Sequence, residues 1–373
     1  MSEERHIHIV AFNVPYPPNY GGVIDVFFKI KALSHLGIKV HLHTFHYGRD
    51  KSSELEKLCA SVHYYPRQKF YQAIYSSVPY IVGSRQSGDL LAQLSADDHP
   101  VLFEGLHTCL YLEHPALAHK LKAVRMHNIE WDYYKSLGKV EVNFFRKFYF
   151  FSESRKLKKY EEVLKGANLI LAISPNDTTY LKGKFERVHL LPAFHANEQI
   201  NIKEGGGEYA LYHGNLGIQE NNQAAIYLCS KVFKGLPQKL VIAGREPLES
   251  LTKLVKKLPN IELVANPDDA TMQQLIANAH VHVLPTFQAT GIKLKLINAL
   301  FNGRFCLVNR KMVENTGLEN LCIIADSAEE MQAEIGQLFN SSMTPAAIES
   351  RKRLLQSQFS NQANAQRLAG LIW

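Results

Sequence analysis

The sequence predicts an α/β protein with parallel, doubly wound sheets in two halves. Three observations carry this. Short β-rich apolar runs alternate with stretches of helical periodicity, which is the pattern of a parallel sheet wrapped by helices. The pattern stops at a glycine-rich run and then starts again. The chain, at 373 residues with 46% apolar and 21% charged residues, has the size and composition of two ordinary globular domains.

The first half opens with HIHIVAF (6–12), a β-rich run, followed by the Pro/Gly loop NVPYPPNYGG (13–22). VIDVFFKIKALSHLG (23–37) has apolar positions at helical spacing and ends on Gly37 as its C-terminal stop. KVHLHTF (39–45), SVHYY (61–65), HPVLFEG (99–105), LKAVRMHN (121–128), NLILAIS (168–174) and RVHLLP (187–192) read as further strands. Ser174-Pro175-Asn176-Asp177 opens a helix by the N-cap rule.

A linker is expected from Ala193 to Glu208, because it holds EGGGE, and glycine runs are flexible. The domain boundary is drawn there, with domains at 1–195 and 196–373. Strands then follow at 209–215, 239–244, 261–266, 281–285, 304–309 and 321–325, with helices at 220–233, 271–279 and 291–302. Residues 327–372 read as terminal helices. Ligands of doubly wound sheets sit at the carboxyl ends of the strands, so those ends and the cleft between the halves are where a ligand is expected.

Composition narrows the function. No apolar run approaches the ~18 residues of a membrane span, and the first residues lack a signal peptide's basic region. A cytosolic chain is expected. Five scattered cysteines never form a C-x-x-C pair, which argues against a disulfide framework or a structural zinc site. The 17 histidines show no H-E-x-x-H and no other metal-ligand spacing in sequence. The net charge of +7 is uneven: residues 1–195 hold 25 Lys/Arg against 19 Asp/Glu, and residues 196–373 hold 17 against 16. The basic first half favours an anionic partner, such as a membrane surface or a phosphorylated acceptor. The excess is too mild for nucleic acid, and no nucleic-acid motif is present.

Several stretches can carry chemistry. Gly21 and Gly22 stand at a strand-to-helix crossing, where glycine lets a backbone approach a phosphate or sugar. A turn needing positive φ explains them equally well. No G-x-G-x-x-G and no P-loop signature occurs, which counts against a dehydrogenase and a P-loop enzyme. His127, Asn128 and Glu130 follow an apolar strand. A histidine there can bond a hydroxyl or phosphate, although spacing alone favours a satisfied loop histidine.

In PTFQATGIKLKLINALFNGRF (285–305), Gly291, Lys295, Asn298 and Asn302 share one helix face. A polar face at a helix N-terminus suits a diphosphate, and a solvated face with a structural glycine is the alternative. Gly214-Asn215 and Gly244-Arg245 end two strands of the second half, and Arg245 can fork onto a phosphate. The run 143–166 has six aromatics and six Lys/Arg before Tyr160, on all sides of a helical wheel. Packing is favoured over lipid contact there.

Together these pieces resemble the GT-B glycosyltransferases of the family 4 type. The resemblance rests on P-x-P-x-x-x-G-G (15–22), HNIE (127–130), ISPND (173–177), HGNL (213–216), IAGR (242–245) and TGIKLKLINALFNG (290–303), in order along nearly the whole chain. It implies two facing Rossmann-like domains: an acceptor-side domain at 1–195, and a nucleotide-sugar-binding domain at 196–373 whose terminal helix packs back on the first. It also implies sugar transfer from a nucleotide-sugar donor to a glycan or lipid-linked acceptor with retention, no essential metal and no cofactor.

By the same resemblance, His127 lies near the donor sugar and is the catalytic candidate. Donor binding falls to Gly21, Gly22, Gly214, Asn215, Arg245, Thr290, Gly291, Ile292, Lys293, Lys295 and Asn298. The chain departs from the family where two glutamates are usual, having Thr290 and Asn298. It also lacks the usual basic pair in GNLGIQENN (214–222), which Arg245, Lys293 and Lys295 would replace. These losses allow two other functions: a catalytically inactive sugar-binding or partner subunit, and a sugar-nucleotide epimerase.

Overall fold

The computed structural model describes residues 4–69, 76–287, 294–314 and 316–373. Its residues fall into two compact units, one running to His195 and including Gln358–Trp373, the other starting at Ala196.

The first unit is built on a seven-stranded sheet: β1 (His6–Ala11), β2 (Lys39–His46), β3 (Ser61–Pro66), β4 (Val101–Glu104), β5 (Lys122–Met126), β6 (Leu169–Ala172) and β7 (Val188–Leu190). The order is β3-β2-β1-β4-β5-β6-β7 and every pairing is parallel. Parallel strands are covered on both faces, which is why they read as apolar runs. Ile7, Ile9, Val40, Leu42 and Leu102 pack to one side with Val26, Ile30 and Leu33 of the helix Gly21–His35. Ala365 and Leu368 of the helix Asn361–Ile372 complete that layer. Val10, Phe45, Phe103, Val124 and Ile170 pack to the other side. The helix Gly21–His35 ends as its sequence says, with Gly37 at φ +78°. Ser174 caps the helix Pro175–Lys182 by accepting from Asp177 N.

The second unit holds β8 (Ala210–Asn215), β9 (Leu240–Arg245), β10 (Ile261–Ala265), β11 (Val281–Val283), β12 (Phe305–Val308) and β13 (Ile323–Ile324) in the parallel order β10-β9-β8-β11-β12-β13. In each sheet the strand order reverses beside the first strand, between β1 and β4 and between β8 and β11. Those are the switch points, where loops part and a ligand can enter.

Three expectations are corrected. The glycine run is not a loose linker. Gly205 pairs with Met343 through two backbone bonds of 2.9 and 3.0 Å, and Gly207 N donates to His280 Nδ1 at 2.9 Å. A Cβ at Gly207 would sit 2.5 Å from Asn278 O and His280 N, so glycine serves close backbone approach there. The helix expected at 220–233 runs Gln219–Tyr227 and passes into a wider π turn, Leu228–Val232. The aromatic run packs only in part: on the helix Phe144–Tyr160, Phe150 and Phe151 lie against Gly138, whereas Phe144, Phe145 and Phe148 are exposed.

Candidate functional site

The switch point of the first unit is lined by the residues that follow β1, β4 and β5. Phe12 follows β1, and its ring centroid lies 5.3 Å from that of His107 and 5.5 Å from that of His127. A Cβ on Gly22 would meet the far end of that ring at 2.6 Å. Gly22 therefore makes room for Phe12, and neither Gly21 nor Gly22 has positive φ. The turn explanation of this pair fails. Gly21 faces open space, and the helix it begins has no side-chain cap and no acidic residue in its first turn. Such a start is open to an anion.

His127 is held from below. Its Nε2 lies 2.9 Å from Glu104 Oε2, and its Nδ1 is 3.8 Å from Asp25 Oδ2. With the Glu104 carboxylate accepting, the Nε2 proton is fixed and Nδ1 is left without a hydrogen-bond partner among the described residues. Beneath it is a fully buried charge network. Lys29 Nζ donates to Asp25 at 2.9 Å and to Glu104 at 2.7 and 2.9 Å. Arg125 Nη2 donates to Asp25 Oδ1 at 3.0 Å and to Pro192 O at 3.1 Å, and Phe194 N donates to Asp25 Oδ1 at 2.8 Å. Burial raises the Asp25 carboxyl, but Arg125, Lys29 and His127 outweigh it and hold it well below the carboxylate range. Glu104 is also lowered: Lys29 and His127 overcome burial. Asp25, Glu104 and His127 offer metal-ligand atoms close together, but the Lys29 ammonium already bonds both carboxylates.

Glu130, at the start of the helix Glu130–Val140, lies near this mouth. Its Oε1 and His107 Nδ1 are 3.9 Å apart, and both are buried with no hydrogen-bond partner among the described residues. Burial pushes the Glu130 carboxyl up to about 7, against a bond from Asn128 and the charge of Arg85. A carboxyl raised in the folded state favours folding most when protonated. Its contribution is full below the ordinary carboxylate range and declines as pH rises to about 7. Glu130→Gln is therefore expected to gain stability on the wild type between pH 5 and pH 8. Chemical denaturation at both pH values is the measurement, and a constant difference would show that Glu130 ionises normally.

The second switch point gathers two of the expected strand ends. Gly214 and Asn215 pair in register with Gly244 and Arg245. A Cβ on Gly244 would lie 1.9 Å from Gly214 O, so glycine permits the strands to close there. Asn215 Oδ1 accepts from Gly217 N at 3.0 Å, and Asn221 Nδ2 donates to Asn215 O at 2.9 Å. Lys295, on the helix Leu294–Asn302, donates to Asn221 Oδ1 at 2.8 Å, with its ammonium 5.4 Å from the Tyr212 ring centroid. Lys295 thus stands at the carboxyl end of β8. Asn309 braces the loop after β11, accepting from Thr286 N at 3.0 Å and donating to Thr286 O at 2.7 Å. Thr286 Oγ1 bonds Glu220.

The remaining expected residues are dispersed. Arg245 is exposed, 3.6 Å from Asp269. Asn298 accepts from Asn302 Nδ2 at 2.9 Å, and Asn302 also donates to Asn197 at 2.7 Å. Asn302 is buried, so this face is not the solvated one that the alternative reading supposed. Thr290, Gly291, Ile292 and Lys293 lie outside the described residues. Sequence reading missed Asp25, Lys29, Glu104, Arg125, His107 and Asn221. The signal for the first four was charge inside apolar elements: Asp25 and Lys29 four apart on a buried helix, Glu104 ending VLFE, and Arg125 within KAVRM.

No protein-family model matches the chain. It is 28% identical over 330 residues, 83% of this chain and 84% of the relative, to an uncharacterized 44.6 kDa protein in the cps region of Klebsiella pneumoniae. Among solved structures it is similar to an S. aureus TarM mutant in complex with UDP and alpha-GlcNAc-glycerol (TM-score 0.66, 11% identity, 99% of both chains). It is also similar to a glycosyltransferase from Rickettsia africae (TM-score 0.65, 10% identity, 100% of this chain and 98% of the other). A third is LpCGTa in complex with UDP (TM-score 0.59, 13% identity, 99% of both chains). The two parallel sheets and their flanking helices are those of the GT-B glycosyltransferase fold.

Proposed function

We propose that the protein is a glycosyltransferase that moves a sugar from a nucleotide-sugar donor to a glycan or lipid-linked acceptor with retention. The observation that carries this is Lys295 beside Asn215 and Asn221 at the second switch point, in a fold matched end to end by glycosyltransferases, two of them in complex with UDP. In this reading Lys295 meets the donor's diphosphate and Asn298 serves the ribose, and Gly291 and Lys293, which lie outside the described residues, are further candidates for the diphosphate. Charge that builds on the leaving diphosphate is stabilised by fixed cationic side chains and a helix start. The diphosphate takes the acceptor's proton, and no covalent cofactor or essential metal is needed. His127, with its Nε2 proton held by Glu104, is the catalytic candidate in this reading.

A nucleotide-sugar panel with and without glycan acceptors is the test. Turnover only with acceptor, with the anomeric configuration kept by NMR, supports the reading. Binding without turnover points to an inactive subunit, and a changed sugar without acceptor points to an epimerase.

In this reading the acceptor lies at an anionic membrane, on the cytoplasmic face. The end of the helix Glu130–Val140, the short joining segment and the start of the helix Phe144–Tyr160 expose Val140 (63%), Val142 (96%), Phe144 (75%), Phe145 (81%) and Phe148 (68%). Lys139, Arg146 and Lys147 surround them and are exposed. Apolar rings inside a basic collar suit a headgroup layer, and each basic residue adds about 1 kcal/mol near anionic lipid. Among the described residues no helix is long and apolar enough to cross a membrane, and the contact proposed is a peripheral one. Sedimentation with phosphatidylserine vesicles is expected to carry the protein down at low salt and less so at high salt. The double variant Phe145→Ser/Phe148→Ser is expected to stay in the supernatant. Equal recovery of wild type and variant at both salts would remove the membrane from this reading.

A further inference from the structure

Histidines of three neighbouring strands share one face of the first sheet. Side chains alternate along a strand. His6 and His8 of β1, His41 and His43 of β2 and His63 of β3 therefore point the same way, with His8 beside His41 and His43 beside His63 in register. The inner row is committed to internal bonds. His8 Nδ1 is 2.8 Å from His43 Nε2, His8 Nε2 is 3.0 Å from Asp97, and His43 Nδ1 is 2.9 Å from the Tyr65 hydroxyl.

The outer row is different. His6 and His41 are joined there by His99, from the segment entering β4. All three are half-buried, and each offers a ligand nitrogen within 4.8 Å of the other two. His6 Nδ1 and His41 Nε2 are 3.0 Å apart. Two nitrogens on one tetrahedral zinc, each at about 2.0–2.1 Å, stand roughly 3.4 Å apart, so this pair is already near ligand spacing. His99 lies stacked against both rings, at centroid distances of 4.6 and 5.8 Å. Its side chain is 37% exposed, which leaves it room to turn its nitrogen in.

Behind the His6–His41 pair, one opposite nitrogen is hydrogen-bonded to an oxygen, and carboxylates stand near His6 Nε2 and His99 Nε2. His41 Nδ1 is 2.9 Å from Ser61 Oγ, His6 Nε2 is 3.5 Å from Glu4, and His99 Nε2 is 4.0 Å from Asp97. Oxygen acceptors behind imidazoles are what orients them as metal ligands. A cavity of about 800 Å³ lies alongside, lined in part by His6, His99, Glu4, Asp97 and Asp98.

We propose that His6, His41 and His99 form a binding site for a divalent transition metal of the zinc, nickel and copper class, with its fourth position open to this cavity. Imidazole nitrogens select that class over magnesium and calcium, which take oxygen. Three nitrogen ligands with one open position allow a water or a carboxylate to complete the shell. The site lies at the amino ends of the strands, the opposite edge of the sheet from Phe12 and His127. It does not rest on the proposed transferase activity.

The test is titration of the whole, metal-free chain with zinc against a chromophoric chelator, plus the visible spectrum with cobalt(II). One equivalent of tight zinc and the absorption of tetrahedral cobalt are expected. Outer-shell changes alone cost about 10–100-fold in metal affinity. His99→Ala, in a loop, is therefore expected to weaken zinc by at least about 100-fold, and Glu4→Gln by about 10-fold. His189→Ala, exposed on β7, should leave affinity unchanged. Circular dichroism of the metal-free variants checks folding, with His99→Gln as the volume-conserving second variant. Zinc affinity unchanged in both His99 variants, or no binding below millimolar zinc, overturns the site.

Discussion

Asp25→Ala is expected to destabilise the first unit by roughly 3–5 kcal/mol, the cost of breaking a buried ion pair from one side. The carboxylate is fully buried and accepts from Lys29, Arg125 and the Phe194 amide together. Without it, Lys29 still has Glu104, but Arg125 keeps only the carbonyl oxygens of Leu191 and Pro192. An uncompensated guanidinium is then buried, and a backbone N–H loses its acceptor. Removing one side of the exposed pair Lys253–Glu249, at 2.7 Å, is expected to cost under about 1 kcal/mol, because water screens it. Denaturant unfolding of both variants decides the matter.

The same network sets an acid limit. Folded Asp25 titrates below its unfolded range, so its contribution is present above the ordinary carboxylate range and is lost as pH falls below it. If Asp25→Ala unfolds at nearly the wild-type denaturant concentration, the network is not holding the helix Gly21–His35 to β4 and β5.

Why the fold was legible and much of the site was not follows from the range of the interactions. NLILAIS and KLVIAG read as strands because a parallel strand buried on both faces must be apolar throughout. Ser174 and Gly37 marked helix ends because capping acts within a few residues. The charge network joins residues 100 apart in sequence, as Asp25 and Arg125 are, and no local pattern records such a distance. The same holds for the histidines: HIH and HLH carry no metal spacing, and only the register of β1 against β2 sets His6 near His41.

Local composition also misled where tertiary packing gave it another use. EGGGE signals flexibility by composition, yet Gly207 is needed for backbone approach to Asn278 and His280. Aromatics normally pack, yet Phe145 is exposed beside Arg146 and Lys147.

The second large effect expected is on diphosphate binding. A nucleoside diphosphate at 100 times its dissociation constant stabilises a fold by ~2.7 kcal/mol, a melting shift of only a few degrees in a chain of this size. UDP, GDP and ADP are therefore compared by calorimetry as well as by melting. Lys295→Ala is expected to weaken the best of them by roughly 1.5–3 kcal/mol, the worth of a charge-assisted hydrogen bond, or about 10–150-fold. The variant also removes the bond to Asn221, so Asn221→Ala serves as its control. Asn221→Ala loosens the lysine but keeps its charge, and is expected to cost less than Lys295→Ala. Lys293→Ala, two residues away in sequence, is expected to cost less still. If Lys293→Ala weakens binding more than Lys295→Ala does, Lys295 is not the main diphosphate contact. If neither changes it, the diphosphate lies elsewhere, and a subunit that kept the fold without the transfer becomes the better account.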